Sequence, residues 1–425
     1  MNLRLCFYED KKWRQFLPLT YLRPAYCLRA GILPLFRRAE RFFEQPEISL
    51  CSRGPLAAII SAEFRDCPVN IIKRREGQTV VFLNGRVRDY GNLPELAGRA
   101  TLVTKVISRD GCVLGLIFPD AAVGPVPRMA TLEQYVEFFR SNSGDVGEME
   151  TDATLYDWCW ELIADLDREI AEDFVFLRRD LAKPLRVKVH DGVFALNSDQ
   201  IHLGSGVEIL PGSFLDASRG PIFIGDNTRV ESQVAIYGPC YVGPNSVVVA
   251  GKISGCSIGH TCRLGGEVEE SVFQSYVNKY HAGFIGHSYV GSWVNFGAMT
   301  TNSDLKNNYS SLHVSVDRQV RDTGMIKVGS YIGDHTKFGI GTLLNTGISV
   351  GICCNIFGGT LITDKEVPSF RWGNSSGYEI YRFEKAVKTM RLAAERRGVS
   401  LASAEEAVLK AVYDGVTDDD GVLEL

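Results

Sequence analysis

The chain has 425 residues, of which 45% are hydrophobic and 23% charged, an ordinary globular mix with ample apolar material for a core. A net charge of -5 argues against nucleic-acid binding as a chain-wide role. No run reaches the roughly 18–20 apolar residues of a membrane span, and the amino terminus MNLRLCFYEDKKWR lacks a signal-peptide apolar core. A soluble, cytoplasmic protein is expected. The 11 cysteines have no CxxC spacing, which reads as reduced, mostly core thiols rather than a zinc or disulfide framework.

From the amino terminus, β-rich apolar runs at residues 3–8, 69–72, 80–83, 102–107 and 113–118 alternate with helical patterns at 28–43, 132–139 and 155–177. The alternation predicts an α/β domain over residues 1–185, its last long helix serving as connector.

The chain then changes character. The protein has 42 glycines, most of them after position 200. From about residue 201 to 362, aliphatic residues recur every six positions, often followed by glycine. One frame runs Ile224, Val230, Ile236, Val242, Val248; another runs Ile332, Phe338, Leu344, Val350, Ile356, Ile362. A period of six fits neither an amphipathic helix nor a hairpin meander. It predicts a parallel β-helix over residues 186–366, each hexad giving one short strand and one corner, with the aliphatic residue inside. Glycine, Asn or Asp is expected at the tight corners. Residues 367–425 are read as a polar loop, one amphipathic helix over 381–397 that needs a partner, and an acidic tail.

Two breaks in the hexads are expected, at 269–281 and 301–325, and breaks in a regular solenoid are where functional side chains gather. They bring Glu267, Asn278, Lys279, His281 and Asn295 within a few rungs. Histidine suits proton removal near neutral pH, and Glu267 is a candidate to orient it or to stabilise its imidazolium.

The stretch NKYHAGFIGHSYVGSWVNFGAMTTNSDLKNNY resembles the active-site stretch of GlmU-type glucosamine-1-phosphate N-acetyltransferases. That resemblance implies His281 as general base toward acetyl-CoA, Glu267 as its upstream glutamate, Asn295 as a sugar-nucleotide contact and Ala298 beside the thioester. Phe284 and Glu269 depart from the family's tyrosine and lysine. FLPLTYLRPAYCLRAGIL, FLNGRV, YIGDHTKFGIGTLLNTG and NIFGG followed by VPSFRWG resemble a variant GlmU-like family of sugar nucleotidyltransferases from Bacteroidetes and related bacteria. The family implies a nucleotidyltransferase-like α/β domain, a left-handed β-helix acyltransferase domain and a homotrimer.

The same resemblance implies a sugar-1-phosphate, UTP or dTTP, and acetyl-CoA as substrates, with Mg²⁺ assisting in the amino domain. There the GxGTR loop is absent, Ala25 replaces the lysine after proline, and Arg86 replaces a metal-binding aspartate. Arg23 and Arg29 remain as candidate phosphate clamps, and Asn278 and Lys279 as further substrate contacts. Two rival readings stand beside this one. The first is a zinc β-helix hydratase resembling γ-type carbonic anhydrases, with His281, His287 and His335 as ligands. The second is a non-catalytic nucleotide-sugar-binding scaffold, suggested by Ala25 and Arg86.

Overall fold

The computed structural model describes residues 2–72, 75–119, 137, 141, 146–179 and 187–417. The amino domain is built on a six-stranded sheet of β1 (Leu3–Tyr8), β2 (Glu47–Leu50), β3 (Thr79–Asn84), β4 (Thr104–Ser108), β5 (Val113–Phe118) and β6 (Gly147–Thr151). Its order is β2-β1-β3-β5-β4-β6. β1 pairs parallel with β2 and β3, β5 runs antiparallel between β3 and β4, and β6 returns parallel to β4. Short helices α1 (Ala57–Glu63) and α2 (Leu93–Arg99) flank the sheet.

Residues 69–72 form no strand, only a bridge from Val69 to Leu50. β2 and β6 lie where no strand was expected, and the helical pattern at 132–139 falls almost wholly outside the described residues.

The pattern at 28–43 does not become an α-helix. Pro34 interrupts it, and the segment bends back on itself, closed by an antiparallel bridge between Arg29 and Pro34, before a 3₁₀ turn at Arg37–Arg41. The connector helix α3 (Leu166–Leu177) holds it there, because the Asp173 carboxylate accepts from the Ile32 and Leu33 amides at 2.9 Å. A Cβ on Gly31 would lie 2.6 Å from that carboxylate, so glycine permits the close approach.

The β-helix is a three-sided stack of parallel ladders, of which one face pairs strands in steps from Lys188–Val189 to Arg371–Asn374. Every six-spaced aliphatic residue of the two frames is inside, each 3% exposed or less.

One row of corners departs from expectation. Besides Asn227 and Asn245, it places Tyr276, Trp293, His335 and Cys353 in the left-handed region, at φ between 53° and 64°. Side chains rarely enter that region unaided. Here the Trp293 amide donates to Ser275 O, that of His335 to Ser292 O and that of Cys353 to Asp334 O, so each coil holds the next corner.

Residues 269–281 are not a break. Val272–Phe273 and Asn278–Lys279 continue the ladders, with Lys279 in an inward position. The true insertion follows Asn302 and carries an antiparallel hairpin, His313–Val316 with Gln319–Asp322.

Two helices, not one, end the described chain: α4 (Phe383–Glu395) and α5 (Ser403–Thr417). Their apolar faces join the amino-domain core, where Met390, Leu409 and Val412 share one cluster with Leu56 and Ile60 and with Ile352 and Phe370 of the last coils. No helix among the described residues is long and apolar enough to cross a membrane.

Candidate functional site

His281 sits on an exposed corner between the strands Asn278–Lys279 and Phe284–Gly286. Lys279 fixes that corner from within. Its ammonium donates to Gly265 O at 2.9 Å, Gly283 O at 2.7 Å and His281 O at 3.2 Å. Burial pulls its pKa down to about 8. With its ammonium held by three carbonyls inside the solenoid, Lys279 is a strut of the corner.

The next corner stacks directly above, because the Met299 amide donates to Ala282 O at 2.8 Å. Ala298 lies in it, and its own N–H makes no hydrogen bond within the chain among the described residues. On the coil below, Glu267 pairs in register with Phe284. Its carboxylate lies 3.4 Å from the Lys252 ammonium, which also grips Glu269. Beside these corners run exposed apolar side chains, Met299 at 59% and Ile340 at 76%, with Tyr280 and Phe357 flanking them. His281, Glu267 and Ala298 thus gather on three successive coils at one edge.

Asn278 and Asn295 stand together on the adjoining face, the Asn278 amide donating to Asn295 Oδ1 at 2.8 Å. They line a cavity of about 390 Å³ beneath the end of α4.

Arg23 and Arg29 are elsewhere. Arg23 makes a bidentate pair with Asp334 of the β-helix, at 2.7 and 3.1 Å, and reaches Ser292 Oγ at 3.1 Å. Arg29 turns toward Tyr241, and its backbone N–H donates to Tyr289 Oη at 2.7 Å. Both arginines lie at the seam between the domains, Arg23 engaged by Asp334 and the Arg29 guanidinium beside Tyr241.

At the carboxyl ends of β1 and β3, where a metal-holding carboxylate pair would stand, the carboxylates are already neutralised. Asp10 receives Arg86 at 2.5 and 3.0 Å, and burial is outweighed so that its pKa is lowered. Glu9 receives Arg53 at 2.9 Å and the Ala25 amide at 2.9 Å, while its burial raises its pKa. This donor set does not fit Mg²⁺, whose octahedral shell needs free oxygen ligands.

The three histidines of the zinc reading are dispersed. His287 lies between Asp304 at 2.7 Å and Glu270 at 2.8 Å, His335 meets Glu405 at 2.8 Å, and His281 is on its open corner. Among the described residues no group of three or more His, Cys, Asp or Glu is arranged to hold a metal ion.

Sequence reading missed Arg263, Lys337, Arg396 and Arg397, which share the cavity with the two asparagines. The adjacent Arg396 and Arg397 were the only visible signal.

An α/β domain leading through one helix into a hexapeptide β-helix defines a class of two-domain, nucleotidyltransferase-like proteins. Residues 5–181 match the family model for sugar nucleotidyl transferases. A bifunctional sugar-1-phosphate nucleotidylyltransferase/acetyltransferase from Sulfurisphaera tokodaii is 28% identical over 390 residues, covering 81% of this chain and 89% of its own. The bifunctional protein GlmU of Rippkaea orientalis is 37% identical over 106 residues, 23% of this chain and 21% of that protein. That of Prochlorococcus marinus is 26% identical over 191 residues, 40% of this chain and 37% of that protein. The matches to GlmU proteins span 21–43% of those proteins' lengths. The amino domain is thus similar to sugar nucleotidyl transferases, and the chain resembles GlmU-type bifunctional proteins in having an α/β nucleotidyltransferase-like domain followed by a parallel β-helix.

Proposed function

We propose that this protein is a bifunctional transferase of nucleotide-sugar synthesis. Its amino domain joins a sugar-1-phosphate to a nucleotide from UTP or dTTP, and its β-helix acetylates an amino sugar from acetyl-CoA. The observation that carries the acetyl step is the stacking of the His281 corner on the Ala298 corner.

In this reading the His281 imidazole takes a proton as the amine nitrogen attacks the thioester carbonyl. The carbonyl oxygen gains negative charge, and the unengaged Ala298 N–H donates to it. Collapse of the tetrahedral species expels the thiolate of CoA, which takes the proton from the imidazolium. Glu267, tethered by Lys252, stabilises that imidazolium, and Asn295 holds the sugar. The exposed apolar side chains beside His281 suit a second copy of the chain, so a cytoplasmic homotrimer is part of the proposal.

The test is His281→Ala, which should lower acetyl transfer by about 10²–10⁴-fold while thermal unfolding stays unchanged. Retention of wild-type acetyl transfer would remove His281 from the mechanism. Sedimentation of a monomer at micromolar concentration would remove the trimer.

A second reading of the amino domain is favoured by the guanidinium groups on Asp10 and Glu9: a domain that binds sugar nucleotides without turnover. Pyrophosphate release across a panel of sugar-1-phosphates with UTP or dTTP distinguishes the two. Release supports the enzyme, and its absence with retained nucleotide binding supports the binding domain.

A further inference from the structure

The cavity under the end of α4 is lined by four cationic side chains. Arg263 and Lys337 project into it from the β-helix, and Arg396 and Arg397 from the two residues that follow the helix. No carboxylate lines it. None of the four cations has an ion-pair partner among the described residues, and the nearby Glu405 is spent on His335.

This arrangement is costly on its own. Burial and the neighbouring Arg263 and Arg396 lower the Arg397 pKa, and burial lowers that of Lys337 to about 8. Basic residues at a helix carboxyl end are ordinary, because they complement the helix dipole. That explains Arg396 and Arg397 alone. Arg263 and Lys337 belong to another element, where the Lys337 ammonium donates to the Trp293 carbonyl oxygen and no helix dipole accounts for Arg263.

We propose that this cavity binds a phosphorylated ligand through its phosphoryl oxygens. Guanidinium forks take phosphate bidentately, and an ammonium adds a point charge. The volume of about 390 Å³ admits a diphosphate with an attached group. The walls restrict what that group is. Tyr276 stacks on Trp293 at 4.0 Å and 3°, so these rings are already covered by one another and the asparagine pair supplies the remaining polar wall. The site recognises charge first. It is separate from the strand ends of the amino domain, and although Asn295 in its wall is also the sugar contact proposed above, the four cations carry the inference without acetyl transfer.

Calorimetric titration of the full chain with inorganic pyrophosphate, UTP and glucose-1-phosphate tests it, in the wild type and in an Arg396→Ala/Arg397→Ala double variant. These side chains end a helix at the surface, and an unchanged melting temperature checks that the fold is intact. The expected result is saturable binding that weakens with added salt and falls at least about tenfold in the double variant, since several charge-assisted bonds are lost. Arg263→Gln should weaken it independently, from the other side of the cavity. The compound most affected identifies the source of the phosphoryl group. If no probe binds saturably, or if all bind the double variant as they bind wild type, the proposal is overturned. In the latter case the phosphates are held by the amino domain.

Discussion

His287 carries the most distinctive electrostatic signature of any single residue. Burial opposes its charge, yet Asp304 and Glu270 on its two ring nitrogens raise its pKa to about 9. Asp167 from α3 and Lys327 from the insertion also line that space. A folded-state pKa above the unfolded value near 6.5 means a stabilising contribution that is complete below about pH 6.5 and lost as pH rises through about 9. Buried Lys279 and Lys337 act in the opposite sense above about pH 8, because their pKa values are lowered to about 8. The expected outcome is therefore comparative. Melting temperatures from pH 6 to 10 should fall more steeply in wild type than in His287→Gln, and parallel curves would remove the ion pair from the stability of the fold. Lys279→Met is a second test, since it leaves the carbonyls of Gly265, His281 and Gly283 without their shared donor. Acetyl transfer should lose turnover more than substrate affinity, because the base is displaced while the sugar contacts remain. The lysine was in plain view: Phe273, Lys279 and Ile285 continue the six-residue frame. A charged residue in an aliphatic slot reads as a break when only hydrophobicity is followed, and its carbonyl partners emerge only when coils stack.

Among elements, the rungs were the most legible, because each coil repeats the same environment and the period records it. Ile356→Ala in such a rung should cost about 2–5 kcal/mol, as for other buried aliphatic truncations, read as a shift in the denaturant midpoint. The helical spacing at 28–43 misled for a local reason and a distant one. Pro34 denies the helix, while Asp173, about 140 residues on, supplies an acceptor to the bent segment. α5 escaped notice although its face is apolar. Removing residues 403–425 uncovers Leu56, Ile60 and Phe370, and the truncated chain should aggregate or unfold at lower denaturant concentration than the full chain.

For the whole molecule, the seam between the domains is charged and buried. Arg23 and Asp334, 311 residues apart, form its clearest pair, with side chains 11% and 1% exposed. No local pattern connects two such positions, which is why Arg23 reads from sequence as a phosphate clamp. Breaking a buried pair by removing one partner costs about 3–5 kcal/mol, because the other charge stays buried alone. Arg23→Ala should destabilise by that order, and Asp334→Asn in the same background should recover part of the loss. Additivity of the two substitutions would separate them.

The shared core of the amino domain and the last helices also sets an order of events during synthesis. Residues such as Leu5 and Leu50 emerge from the ribosome early, yet their cluster is completed only by Met390, Leu409 and Val412. The α/β domain therefore waits, with part of its apolar surface uncovered, until Val412 has been translated. Contacts spanning so much sequence are slow to form, and a waiting apolar face invites association with other nascent chains. The α/β domain expressed alone would retain that unfinished surface permanently, because the last coils and terminal helices supply part of its core.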